Sequence, residues 1–242
     1  MTEDEALLID APLTPDPDAD DEMGPGDVEA IADEDLRGCR LLLVRRAVEP
    51  IDLDGNPGGV LQMACTFQAS QGIRFTYVQF RLSLLAPADV KIIDIAPRVL
   101  EDPRPVEFTL DGKGKLGVKN LLVPVEPSLE IGMSKKFAVY HCQVQGSGEG
   151  TNMARWDFRE NPDQRSGLGQ EQVLTLTLPL TGQVAGTVSV NARLARSGVR
   201  GSLEVIRDMI LGPKPNDRFY PISFEIPKAP SPRGLARFLN LI

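Results

Sequence analysis

Val173-Leu174-Thr175-Leu176-Thr177-Leu178-Pro179-Leu180 places leucine at four alternate positions with threonine between the first three. A period of two sends the leucines to one side of an extended chain and the threonines to the other, the pattern of a half-buried strand. Beyond Thr181-Gly182-Gln183 the alternation resumes from Val184 to Leu194. There Val188, Val190, Ala192 and Leu194 interleave with Thr187, Ser189, Asn191 and Arg193. The two runs are expected to pair as an antiparallel hairpin. Pro179 has no N–H to donate, so it belongs at an edge or bulge.

The same reading extends outward to strands at Cys39–Val48, Val60–Ala69, Ile73–Leu85, Val90–Ile95, Pro105–Leu110, Lys136–Val144, Gly201–Ile210 and Arg218–Ile226. Leu203–Leu211 fits a short helix equally well, with Val205, Ile206, Met209 and Ile210 on one face. Turn chemistry separates the runs, as in Asp54-Gly55-Asn56-Pro57-Gly58-Gly59, Gln71-Gly72 and Asp111-Gly112-Lys113-Gly114. Many strands at short spacing predict an all-β chain folded as an antiparallel β-sandwich over residues 37–230. The prolines between Pro87 and Pro127 leave two packed β-subdomains, divided near residue 130, as the alternative.

Charge divides the chain more sharply than composition does. Residues 1–36 hold 14 Asp or Glu and no Lys or Arg, whereas the remainder holds 26 basic against 20 acidic side chains. Asp10–Asp27 is rich in proline and acid and poor in apolar groups. Such a segment cannot offset the roughly 1–2 kcal/mol of backbone entropy lost per ordered residue. Residues 1–36 are therefore expected to be a disordered acidic tail, interrupted by the apolar clusters Ala6-Leu7-Leu8-Ile9 and Val28, Ile31, Leu36. At the other end, Leu235, Phe238, Leu239 and Ile242 fall at i, i+3, i+4 and i+7, one apolar stripe of a short helix. Residues 231–242 are read as a C-terminal docking peptide.

No apolar run approaches the roughly 20 residues of a membrane-crossing helix, and the acidic start lacks the pattern of a secretory signal. The expected location is cytoplasmic. Arg-, Ala-, Gly- and Pro-rich usage points to a GC-rich bacterial coding bias. Cys39, Cys65 and Cys142 are scattered and read as buried free thiols.

Catalytic groups do not cluster. His141, the single histidine, adjoins Cys142, and neighbours on a strand face opposite sides. There is no Gly-x-Ser-x-Gly elbow, zinc-ligand spacing or phosphate loop. Asp52–Gly58 begins like a calcium loop, but Pro57 stands where its glycine belongs, so a hairpin turn is expected. No metal or cofactor is expected. Lys113, Lys115, Lys119, Lys135 and Lys136 form a candidate anion patch. Trp156–Glu171, which follows Arg155, combines the only tryptophan with Arg159, Arg165 and four carboxylates, the composition of a binding loop. Three roles compete for it: plugging the end of the sandwich, binding a partner, and hydrolysis by Asp157, Glu160 and Asp163.

The expected function is a non-enzymatic protein-binding or assembly module, with another protein or a larger assembly as partner. Its contacts would run through Trp156, Arg155, Arg159 and the C-terminal residues Leu235, Phe238, Leu239 and Ile242. One alternative is an anion binder for nucleic acid or a membrane surface, gated by the acidic tail. The other is a hydrolase using the carboxylates near Trp156.

Overall fold

The computed structural model describes residues 6–15, 38–101, 106–110, 116–118, 135–139, 142–162, 164–168, 171–197, 206–211 and 219–228. Among the described residues fifteen strands follow in chain order: β1 (Ala6–Pro15), β2 (Arg40–Leu53), β3 (Asn56–Gln68), β4 (Ile73–Ala86), β5 (Asp94–Ala96), β6 (Val99–Glu101), β7 (Val106–Leu110), β8 (Leu116–Val118), β9 (Lys135–Val139), β10 (Cys142–Ser147), β11 (Met153–Arg159), β12 (Gln172–Leu178), β13 (Gly182–Arg196), β14 (Ile206–Leu211) and β15 (Tyr220–Ile226). The described residues contain no helix, so Leu203–Leu211 resolves in favour of strand over its described part. No helix there is long and apolar enough to cross a membrane.

Two antiparallel sheets carry the fold. Sheet A runs β5-β12-β3-β2-β1, and sheet B runs β14-β13-β4-β11-β10-β6, with β15 beside β13. The strand β1 joins them, pairing with β2 through Pro12 and with β14 from Leu13 onward. A separate three-stranded sheet has the order β8-β7-β9.

Alternation explains how the sheets pack. Leu174, Leu176 and Leu178 of β12 and Leu61, Met63 and Cys65 of β3 are buried. So are Val78, Phe80 and Leu82 of β4 and Val184, Val188 and Val190 of β13. Phe67 of β3 reaches across to Phe75 of β4 and Phe158 of β11, with ring centroids 5.8 and 5.2 Å apart. Such tilted aromatic contacts add to the burial that holds the sheets together. Gly59 belongs to the same seam, because a β-carbon there would run into Ile226.

The β-sandwich expected from the sequence is therefore present, but several details differ. Val173–Leu180 and Val184–Leu194 do not form a hairpin. The first lies in sheet A between β3 and β5, the second in sheet B beside β4, and Pro179–Thr181 crosses between the layers. Alternation fixes which face is buried and leaves the neighbouring strand open. Pairing of β3 with β12, and of β4 with β11 and β13, joins the two sides of residue 130 within shared sheets. Asp52–Gly58 is a hairpin turn, with Asp54 and Gly55 at φ of 53° and 86° as a two-residue primed turn requires.

The acidic tail is also corrected over Ala6–Pro15, which forms β1. Ile9, Ala11 and Leu13 are buried on the core side, and Asp10 meets Arg40 at 2.5 Å on the other. Three inward side chains and a ready-made edge on β2 outweigh the prolines and acids that argue for disorder. Residues 16–36 and the C-terminal peptide 231–242, including Leu235, Phe238, Leu239 and Ile242, lie outside the described residues. So do His141, Lys113, Lys115 and Lys119.

Because inward and outward positions differ so strongly, Leu82→Ala is expected to cost about 3 kcal/mol. Val173→Ala, on the outer face of sheet A, should stay within about 0.5 kcal/mol. Urea denaturation of the two variants checks the contrast; equal losses would mean that the alternation does not define the core.

Candidate functional site

Trp156 lies on β11 rather than on a loop, fully buried against Phe80 with ring centroids 6.0 Å apart. Its assignment as a partner-binding residue is corrected. Ala154, Trp156 and Phe158 point into the core, so Met153, Arg155, Asp157 and Arg159 point outward from sheet B. Of the three candidate contact residues, Arg155 and Arg159 alone reach the surface.

Strand pairing assembles these residues into rows. Ser147, Arg155, Arg81 and Ser189 are register partners across β10, β11, β4 and β13. The next outward row is Gln145, Asp157, Gln79 and Asn191, and the one beyond it is Arg159, Tyr77 and Arg193. In the opposite direction lie Met153, Ser83 and Thr187. Neighbouring strands are about 4.8 Å apart, so a row of four spans about 14 Å. The inner rows on either side of the arginine row contain Trp156, Phe80 and Val190, and Ala154, Leu82 and Val188, all buried. The outer residues thus stand on a rigid apolar layer.

One polar network organises the middle of this face. The Asp157 carboxylate accepts hydrogen bonds from the Tyr77 hydroxyl at 2.5 Å, Gln79 Nε2 at 3.1 Å and Arg155 at 2.9 Å. Burial pushes the Asp157 carboxyl up, but the donors Arg155, Tyr77 and Gln79 and the Arg155 charge outweigh it and hold it below the usual carboxylate range. Burial and the hydrogen bond donated to Asp157 push the Tyr77 hydroxyl up.

The second carboxylate considered for hydrolysis, Glu160, serves as a strap. It accepts from Arg74 Nε at 3.0 and 3.1 Å and from the Gly167 amide at 2.7 Å. Arg74 also donates to the Arg196 carbonyl. The side chains of Arg74 and Glu160 are 4% and 6% exposed, so the pair ties the segment after β11 to the end of sheet B. Gly167, at φ of 77° and close against Arg74 Cβ, fits where a larger residue would not. Asp157 and Glu160 are therefore committed to separate ion pairs, and Asp163 lies outside the described residues.

Lys135 and Lys136 lie on β9 opposite Leu110 and Thr109, away from the rows of sheet B. Cys39 and Cys65 are buried free thiols, as the sequence suggested, and burial pushes the Cys65 thiol up. Among the described residues no group of His, Cys, Asp and Glu is arranged to hold a metal ion. The sequence reading missed Arg81, although its signal was present in the alternation of Tyr77, Gln79, Arg81 and Ser83 with the buried positions of β4.

No protein-family model matches the sequence, and a search of the curated proteins finds no relative. Among solved structures, the chain is similar to the delta-toxin of Clostridium perfringens at 10% identity and a TM-score of 0.31, over 93% of both chains. It is also similar to the Clostridium perfringens NetB toxin in its membrane-inserted form, at 9% identity and a TM-score of 0.28, over 77% of this chain and 88% of that one. A further match is described as a pore forming protein, at 13% identity and a TM-score of 0.31, over 78% and 86%. Two of these neighbours are named as toxins and one as a pore forming protein, and on that finding the expectation of a protein-binding or assembly module is corrected. With TM-scores near 0.3, no activity is transferred from them.

Two outcomes follow from the ion pairs. Glu160→Gln leaves the buried Arg74 charge uncompensated and should cost about 3–5 kcal/mol, read by urea denaturation. Asp157 has a lowered folded-state pKa, so its stabilising contribution is complete above about pH 4, the ordinary value, and is lost as pH falls through the lower folded value. Denaturation curves from pH 7 down to 2 should steepen in this range for wild type and flatten for Asp157→Asn. Identical acid limbs would show that the network contributes nothing.

Proposed function

We propose that the protein binds anionic membrane surfaces through the outer face of sheet B. The observation that carries this reading is the sharing of one face by cations and apolar groups. Outward positions of three neighbouring strands hold Arg81, Arg155, Arg159 and Arg193, with Asp157 as the carboxylate among them and Asp208 opposite Arg193 at the β14 margin. Met153 and Leu85, 41% and 61% exposed, lie at the end of this face, and Phe219, 63% exposed, precedes β15 on the same sheet.

Each arginine close to an anionic leaflet contributes about 1 kcal/mol, falling off within a Debye length. Exposed apolar side chains add burial in the headgroup region, and arginine stems can lie along it while their heads stay hydrated. Nucleic acid fits less well. Single-strand binding calls for exposed aromatic rings among the cations, whereas Tyr77, which stands among the arginines, is already bonded to Asp157 and Phe219 precedes β15, outside the arginine rows.

Vesicle co-sedimentation tests the reading. The full chain should partition onto phosphatidylcholine vesicles containing phosphatidylserine, release as salt rises, and ignore phosphatidylcholine alone. Arg81→Gln with Arg159→Gln removes about 2 kcal/mol of attraction, or roughly 30-fold in partitioning. Equal partitioning onto neutral vesicles, or no effect of the double substitution, would overturn the proposal.

A further inference from the structure

Four arginines among the described residues have a buried Nε without a hydrogen bond: Arg40, Arg81, Arg155 and Arg196. Three of them have other partners. Arg40 meets Asp10, Arg155 Nε lies 2.8 Å from Asp157 Oδ2, and Arg196 is also engaged. Arg81 differs, because no described carboxylate, carbonyl or hydroxyl pairs with its guanidinium. A half-buried guanidinium without a counter-charge has surrendered part of its hydration with no compensation inside the fold.

Its surroundings explain why the charge stays unanswered and what would answer it. The nearest outward carboxylate in these rows, Asp157, is held by Arg155, Tyr77 and Gln79. On its own row Arg81 is flanked by Arg155 and Ser189, with Ser147 one strand further, and Ser83 is the next outward residue on β4. The row therefore offers a planar guanidinium with the Ser189 hydroxyl at the adjacent register position.

We infer that Arg81 is the centre of a phosphate site that takes the phosphomonoester of a lipid headgroup, an inference that rests on the membrane-surface reading above. A guanidinium engages two oxygens of one phosphate in parallel. The Ser189 hydroxyl on the adjacent strand then needs a further oxygen. A monoester presents three terminal oxygens and up to two negative charges against a diester's two oxygens and one charge, so it can give two oxygens to the guanidinium and a third to the hydroxyl without sharing. A monoester also stands clear of the bilayer surface, within reach of a group set level with a sheet.

The test compares vesicles containing phosphatidic acid with vesicles containing phosphatidylserine, using wild type, Arg81→Lys and Ser189→Ala. Lysine retains the charge but loses the fork, so general attraction to phosphatidylserine should persist in Arg81→Lys. Its preference for phosphatidic acid should fall about tenfold, the loss of one charge-assisted hydrogen bond. Ser189→Ala, a small change on the outer face, should lower the preference without altering phosphatidylserine binding.

A wild type that binds both anionic vesicles equally, or an unchanged preference in Arg81→Lys, would overturn the phosphate site and leave the membrane reading standing. No binding to either vesicle would remove the membrane reading. In that case, titration with inorganic phosphate alone separates the sources. Uptake by wild type and not by Arg81→Lys supports the site with free phosphate as its ligand, and no uptake by either removes the site as well.

Discussion

The alternation along β4 from Val78 to Leu84, set beyond a register shift that separates it from Phe75, is the constraint on which the rest of the molecule depends. Its inward residues Phe75, Val78, Phe80, Leu82 and Leu84 meet the core, and its outward residues Tyr77, Gln79, Arg81 and Ser83 form the centre of the polar face. Pairing with β13 runs from Ala86 opposite Ala185 to Ile73 opposite Arg196, and β11 lies along the other side. A slip of one residue would turn Arg81 inward and expose Phe80 or Leu82. Stability of the core and placement of the arginines are therefore one property.

Charge is handled differently at the rim and at the middle of sheet B. The Arg74–Glu160 pair is almost fully buried and closes the strand end with several hydrogen bonds on each partner. Pairs of this kind are costly to break rather than strongly stabilising in themselves. Asp157 answers Arg155 and fixes Tyr77 and Gln79, leaving Arg81 and Arg159 with no described carboxylate against them. The ion pairs thus sit where they hold the backbone in place, and Arg81 and Arg159 remain on the outer surface.

The strands were legible because burial on one side imposes a period of two that survives in the sequence, most clearly at Leu174, Leu176 and Leu178. Strand order was not, since Val173–Leu180 and Val184–Leu194 carry the same signal whether they pair with each other or with β3 and β4. The acids and prolines around β1 masked Ile9, Ala11 and Leu13, whose inward positions matter only once the β2 edge exists. Trp156 was misplaced for a related reason. The polar residues flanking it suggested a loop, whereas Arg155, Asp157 and Arg159 are the outward half of a strand. The outward position of Arg81 was legible in the alternation of β4, but its lack of a partner is a tertiary fact that depends on Asp157 being occupied.

The claim that one particular face meets the membrane is tested most directly by an environment-sensitive fluorophore placed on each sheet in turn. In a Cys142→Ser background, Thr187→Cys puts the probe on the outer face of sheet B, and Thr175→Cys puts it on the outer face of sheet A, while the native Cys39 and Cys65 are buried. On adding anionic vesicles, the probe at position 187 should shift to shorter wavelength and the probe at 175 should not. A shift confined to position 175, or equal shifts at both, would contradict the account.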